Sequence, residues 1–281
     1  MDRRRGARSA GWTAALALGA ALTGCSAPQA PAGQAPGTAP ATPATPTPES
    51  PAPESPASSG TPQDGPTGEA PTPVRQRLVA DTPLRLTRTE GSLTYDVQVP
   101  RFTGSPVAAE VNRRVLASAE HAVQAARRTV RAGDPPRVLD GDGVVTTNDG
   151  RTVQVHYVFT DFTEGTAHPT GSVSTVTLDA RDGSPITLDQ VFADERAALG
   201  TLAEEVRRFA AARDQPVDDA GLEPVRENWA SWQTTPDGMV VSFQDYQLGG
   251  HGLRDYTIAW DVLEPLMTPS SYALLGPLTG A

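Results

Sequence analysis

Four histidines, His121, His156, His168 and His251, are the candidate general bases of this sequence. His168 stands in the run Ala167-His168-Pro169, with Asp161 and Glu164 a few positions before it. His251 stands in the cluster Gly249-Gly250-His251-Gly252, between Asp245 and Asp255. An imidazole oriented by a carboxylate does general acid–base work once a nucleophile or a metal completes it. The sequence shows no such complement: it has no Gly-x-Ser-x-Gly elbow and no His-Glu-x-x-His. A hydrolase built on His168 and His251 with nearby carboxylates is therefore the second reading. Ring-to-backbone loop geometry is the first for His168. His121, beside Glu120 on a helix, and His156, on the polar side of a strand, read as surface residues. Asp140-Gly141-Asp142-Gly143 has the opening of a calcium loop, but Val144 and Val145 follow where further ligands belong, so it reads as a tight turn. Neither a metal nor a cofactor is expected. Trp229, Trp232, Trp260 and Tyr246 are core candidates first; the same aromatics would anchor a ligand beside the glycine cluster. His168, Tyr246 and His251 are thus the candidate ligand-binding residues.

The elements that must position them follow from periodicity. Alternation over residues 93–99 predicts a strand. Val107, Val111, Val115, Ala119, Val123, Ala126 and Val130 recur at three- and four-residue steps, which predicts an amphipathic helix over 106–131. Strands are expected over 144–147 and 151–160, joined at Asn148-Asp149-Gly150, where Asn, Asp and Gly tolerate positive φ. A further pair is expected over 172–179 and 185–188, then a second amphipathic helix over 194–213. Strands over 229–233, 239–246 and 255–260 complete an α+β domain, with a helix packed on each of two antiparallel sheet regions.

The N-terminus has a different character. Arg3, Arg4, Arg5 and Arg8 precede an uncharged apolar run ending at Leu22, the pattern of a secretion signal rather than of a spanning helix, which needs about 20 apolar residues. Leu22-Thr23-Gly24-Cys25 resembles the lipobox of bacterial lipoproteins. The resemblance implies cleavage after Gly24 and a diacylglycerol on Cys25, holding the protein to the extracytoplasmic face of the cell membrane. Cys25 is the only cysteine, so no disulfide can form within the chain. Residues 25–73 are the lipidated cysteine followed by Ala, Pro, Thr, Ser and Gly with a few acids, a composition that cannot bury enough apolar surface to order itself and reads as a tether. Residues 74–281 have globular composition.

From Gln76 onward the formal charge is −10, with no lysine anywhere. That excludes nucleic acid, which needs a basic surface, and leaves room for a basic protein as partner. Finally, an ordered set of strings resembles the extracellular domain of the RsiV-like family. Val99-Pro100 comes before a helix containing Val111-Asn112-Arg113. Then come Tyr157-Val158-Phe159, Ala167-His168-Pro169, Asp182-Gly183 and Leu188-Asp189-Gln190-Val191-Phe192. Val241-Ser242-Phe243, the glycine cluster and Tyr256-Thr257-Ile258-Ala259-Trp260 follow. The likeness runs from about Leu84 to Leu266. That family includes the lysozyme-binding sensor region of a transmembrane anti-sigma factor, appendages of cell-wall deacetylases and secreted actinobacterial antigens. This chain carries neither an anti-sigma segment nor a deacetylase domain, so the resemblance implies the outer binding domain on a lipid tether. Its expected function is non-catalytic recognition of a lysozyme-like protein or of cell-wall glycan.

Overall fold

A computed structural model describes residues 77–277. The expected signal segment (1–24, with Leu22, Thr23 and Gly24), Cys25 and the tether up to residue 73 lie outside the described residues. The first half forms a five-stranded sheet of order β1-β2-β3-β4-β5. The strands are β1 (Val79–Glu90), β2 (Leu93–Thr103), β3 (Arg137–Asn148), β4 (Thr152–Thr163) and β5 (Thr170–Asp179). Helix α1 (Ala108–Thr129) connects β2 to β3. Because the chain crosses over through a helix, β2 and β3 run parallel. The remaining neighbours in this sheet are antiparallel.

The core beneath α1 comes from alternation. Leu93, Tyr95, Val97 and Val99 of β2 and Val153, Val155, Tyr157 and Phe159 of β4 point to one face and are buried against Val111, Val115, Ala119 and Val123 of α1. Each fully buried valine contributes about 1.5–3 kcal/mol. The Tyr157 hydroxyl donates to the Val115 carbonyl at 3.0 Å, and burial pushes its phenol up. Asn112 locks the helix to the end of β2, since its amide oxygen accepts from the Phe102 N–H at 2.8 Å and its NH2 donates to the Phe102 carbonyl at 2.9 Å.

Asp140-Gly141-Asp142-Gly143 is strand, not the expected turn: it lies in the middle of β3. Its glycines are there for space. A Cβ on Gly141 would stand 2.6 Å from the Phe159 ring, and one on Gly143 2.4 Å from the Tyr157 ring. Strand β1 was not expected at all, and the expected strand over 185–188 is reduced to a single bridge, Leu178 with Pro185.

The second half is built on α2 (Leu188–Val191), α3 (Glu195–Ala212) and a three-stranded sheet of β6 (Trp232–Thr235), β7 (Gly238–Phe243) and β8 (Arg254–Ala259). Short helices α4 (Trp260–Leu263) and α5 (Pro269–Leu275) close it. Leu199, Leu202 and Val206 of α3 pack with Trp229, Trp232, Trp260, Phe243 and Tyr256. The three tryptophans are core, although Trp229 ends a 3-10 turn, Arg226–Trp229, and the strand starts only at Trp232. The α+β architecture with one long helix on each sheet agrees with the sequence reading; the parallel β2–β3 pair is the exception to the antiparallel rule. Among the described residues no helix is long and apolar enough to cross a membrane.

The two halves meet along the outer edge of β5, and side chains satisfy that edge. The Gln244 amide oxygen accepts from the Val173 N–H at 2.8 Å while its NH2 donates to the Val173 carbonyl at 2.9 Å. Asp245 follows suit at Gly171: its carboxylate accepts from the Gly171 N–H at 3.2 Å, and its own N–H donates to the Gly171 carbonyl at 3.3 Å. An exposed strand edge is thereby closed without another strand.

Candidate functional site

The Gly171–Asp245 pairing fixes the site, because it brings the loop between β4 and β5 against the loop between β7 and β8. His168 belongs to the first loop and Tyr246 and His251 to the second. The His168 and His251 rings lie with centroids 4.1 Å apart, and Tyr246 is 5.6 Å from His251. His168 Nδ1 is 3.0 Å from the Pro169 carbonyl, which can only accept, so this nitrogen carries the proton of the neutral ring. Its Nε2 is then the acceptor for the Tyr246 hydroxyl at 3.1 Å. His251 Nδ1 donates to Asp245, 3.0 Å from Oδ2.

Asp245 is the anchor, with its side chain only 1% exposed. Besides Gly171 it accepts from the Gly252 N–H at 2.5 Å. Burial acts to raise its pKa, but those two N–H groups and His251 outweigh burial, and the carboxyl is held below the usual carboxylate range. The loop's tight return uses positive φ at Gly249, Gly250 and Gly252, which glycine adopts without steric cost.

Tyr246 has the same backbone hand without that freedom: its φ is 66°. A bulky residue there is strained, and its neighbours enforce the conformation. The Gln247 amide oxygen accepts from the Gln244 N–H at 3.0 Å, and its NH2 donates to the Asn228 carbonyl at 2.8 Å. Leu248 is buried in the core. The loop is thus pinned on both sides of Tyr246, which is itself 49% exposed. Tyr246 thus stands half-exposed beside two imidazoles.

The carboxylates that the sequence placed near the histidines sort out differently. Of the four, Asp245 alone joins the cluster. Asp161 is paired with Arg137 and lines, with His168, Thr166 and Ser172, a cavity of about 460 Å³. Neither Glu164 nor Asp255 makes a hydrogen bond or ion pair to the cluster. Among the described residues no three His, Cys, Asp or Glu side chains are grouped to hold a metal ion. His121 is exposed, as expected, but His156 is half-buried with its Nε2 enclosed and unpartnered, so it is not a surface residue. A larger groove of about 980 Å³ lies at the opposite end of the five-stranded sheet, between Pro106, Arg151, Arg181, Ile186 and Leu274. It contains none of the expected site residues, and its parts are too far apart in sequence for any local pattern to announce it.

In class, then, this is an α+β domain in which a loop-borne aromatic–imidazole cluster is mounted on the seam between two sheets. Its fold is that of DUF3298 family proteins. A member of that family from Bacteroides fragilis NCTC 9343 superposes with a TM-score of 0.52 at 12% identity, over 70% of this chain and 96% of its own. A DUF3298 family protein from Pseudomonas aeruginosa PAO1 superposes with a TM-score of 0.50 at 15% identity, over 70% of this chain and 97% of its own. Neither a protein-family model nor a curated protein matches the chain.

Proposed function

We propose that this is a lipid-anchored binding protein of the extracytoplasmic cell envelope. It recognises a protein, a lysozyme-like one being the first candidate, or cell-wall glycan, and it does so through Tyr246, His168 and His251. The observation that carries this reading is Tyr246. A large aromatic residue is kept at φ 66° with its ring exposed, and strain of that kind persists at functional sites because the surroundings enforce it. The lipobox-like Leu22-Thr23-Gly24-Cys25 supports a membrane anchor through an N-terminal lipid. The likeness to RsiV-like extracellular domains supports a sensor-type binding role, and the acidic balance supports a basic protein and argues against nucleic acid.

The test is binding kinetics on residues 74–281, with lysozyme, soluble wall fragments and a second basic protein as control for charge. Tyr246→Ala is expected to weaken the specific interaction at least about tenfold, the size typical of a buried aromatic anchor. Equal affinity for parent and Tyr246→Ala, with any of these ligands, would remove the cluster from the reading. No binding to lysozyme at low salt would remove lysozyme.

One observation favours a second reading, a small hydrolase: Asp245 and His251 form an acid–imidazole pair like that of a general base and its orienting carboxylate. Ester and acetylated-glycan hydrolysis by the parent, abolished in His251→Ala, would establish it. Absence of turnover in the parent would dismiss it.

A further inference from the structure

Helix α1 covers one face of the five-stranded sheet; the second half covers the other face only along β5 and the adjoining part of β4. There Trp232 N–H donates to Thr175 Oγ1, Gln154 is bonded to Thr234, and Leu253 lies over Gly171. The rest of that face is uncovered among the described residues. Register shows what it presents. Val138 stands opposite Phe162, Asp140 opposite Thr160, Asp142 opposite Val158 and Val144 opposite His156. On the next strand Asp96 stands opposite Asp140 and Gln98 opposite Asp142.

Two features of this face are unusual together. Four large apolar side chains are exposed on adjacent strands, Val138 and Phe162 at 38% each, Val158 at 41% and Val144 at 54%. Threaded between them are Asp140 and Asp142, both exposed. Asp96 is paired with Arg85, whereas no cation is paired with Asp140 or Asp142 among the described residues. Arg85 of β1 lies on the same face but is taken up by Asp96, so the charges left unpaired among these apolar side chains are Asp140 and Asp142, a pattern that fits an interface more than a solvated wall.

We infer that this uncovered sheet face is a docking surface for a basic protein, one presenting lysine or arginine beside apolar side chains. The charge pattern selects that occupant. A second copy of this chain docked face to face would bring Asp140 and Asp142 against their own kind, and an anionic membrane would be repelled. The inference rests on the binding reading for the existence of a partner but not for its place. The face is defined without Tyr246, although the loop carrying Leu253 and His251 borders it.

The test uses the full chain, kept free of lipid by Cys25→Ser, and a helical amphipathic leucine–lysine peptide as probe, followed by fluorescence anisotropy. An alanine–lysine peptide of equal charge and a leucine–glutamate peptide are the comparisons. The leucine–lysine peptide is expected to bind best, with an association that slows as salt rises, because steering is screened over about 8 Å at physiological ionic strength. Asp140→Asn with Asp142→Asn removes two exposed charges without changing volume and is expected to weaken binding about tenfold. Val158→Thr with Phe162→Thr is expected to do the same with the charge intact. Melting curves of both variants should match the parent, since all four positions are exposed. Parental affinity in either double variant overturns the inference, as does equal binding of the alanine–lysine peptide or self-association of the chain through this face. If Tyr246→Ala alone abolishes binding while both double variants keep it, the cluster is the binding site and this inference fails. If the double variants lose binding and Tyr246→Ala keeps it, the sheet face stands by itself.

Discussion

Replacing Asp245 by asparagine isolates the group on which the whole cluster depends. The carboxylate accepts the Gly252 N–H at 2.5 Å, the Gly171 N–H at 3.2 Å and the His251 ring at 3.0 Å, with its side chain 1% exposed. Asparagine has one oxygen, so it can serve only one side of that arrangement, and its NH2 must face a donor on the other. Hydrogen bonds to a charged group contribute about 1.5–3 kcal/mol each, and an orphaned buried donor costs about 1–3 kcal/mol. Losing one charge-assisted bond and leaving one donor unpaired, with partial relaxation of the loop, gives about 2–4 kcal/mol. For a domain of this size that is a fall in Tm of roughly 5–15 °C. The pH dependence has a definite sign. Because the folded-state pKa lies below the unfolded one, the carboxylate's contribution is complete above the unfolded value near 4. It is lost as pH falls through the folded value. Urea melts of parent and Asp245→Asn should therefore differ most at pH 7 and converge as the solution is acidified below pH 4. A difference under about 1 kcal/mol at pH 7, or one that stays constant into acid, would show that Asp245 is not the charged anchor described.

Two glycines give opposite expectations. Gly143→Ala places a Cβ 2.4 Å from the Tyr157 ring and 2.7 Å from Pro100 Cδ, an overpacking expected to cost about 1–3 kcal/mol in denaturant melts. Gly200→Ala, within α3 and with nothing inside 4 Å of the added carbon, is expected to stabilise by about 0.5–1 kcal/mol; no gain there would contradict the helix. At the N-terminus, Cys25→Ala is expected to leave an uncleaved, unlabelled precursor in cells fed with radiolabelled palmitate. A labelled or normally processed Cys25→Ala protein would refute the lipobox reading.

Both long helices were legible in the sequence, to within two residues at either end, since three- and four-residue spacing of Val and Ala in α1 and of Leu and Val in α3 is a local property. So were the hairpin at Asn148-Asp149-Gly150, the buried tryptophans and the α+β class. Strand β1 was not: only Leu86 and Glu90 among its residues are even half-buried, so no alternation marks it, and it exists as a strand through its backbone pairing with β2. Asp140-Gly141-Asp142-Gly143 misled for a related reason. Glycine next to aspartate signals a turn locally, but these glycines answer to the rings of Tyr157 and Phe159 on the neighbouring strand.

The candidate site divides in the same way. The sequence named His168, Tyr246 and His251 and offered four carboxylates to partner the histidines. Which carboxylate does so, and that the imidazoles meet at all, was decided by the fold. His168 and Tyr246 are 78 positions apart, and they meet because Asp245 binds the backbone of Gly171 at the edge of β5. Side-chain type and periodicity are written along the chain. The approach of two loops is set by hydrogen bonds from Gln244 and Asp245, chiefly through their side chains, to the backbone of β5, which no local pattern connects, and the exposure of Tyr246 by a backbone turn that its neighbours, not its own preferences, impose.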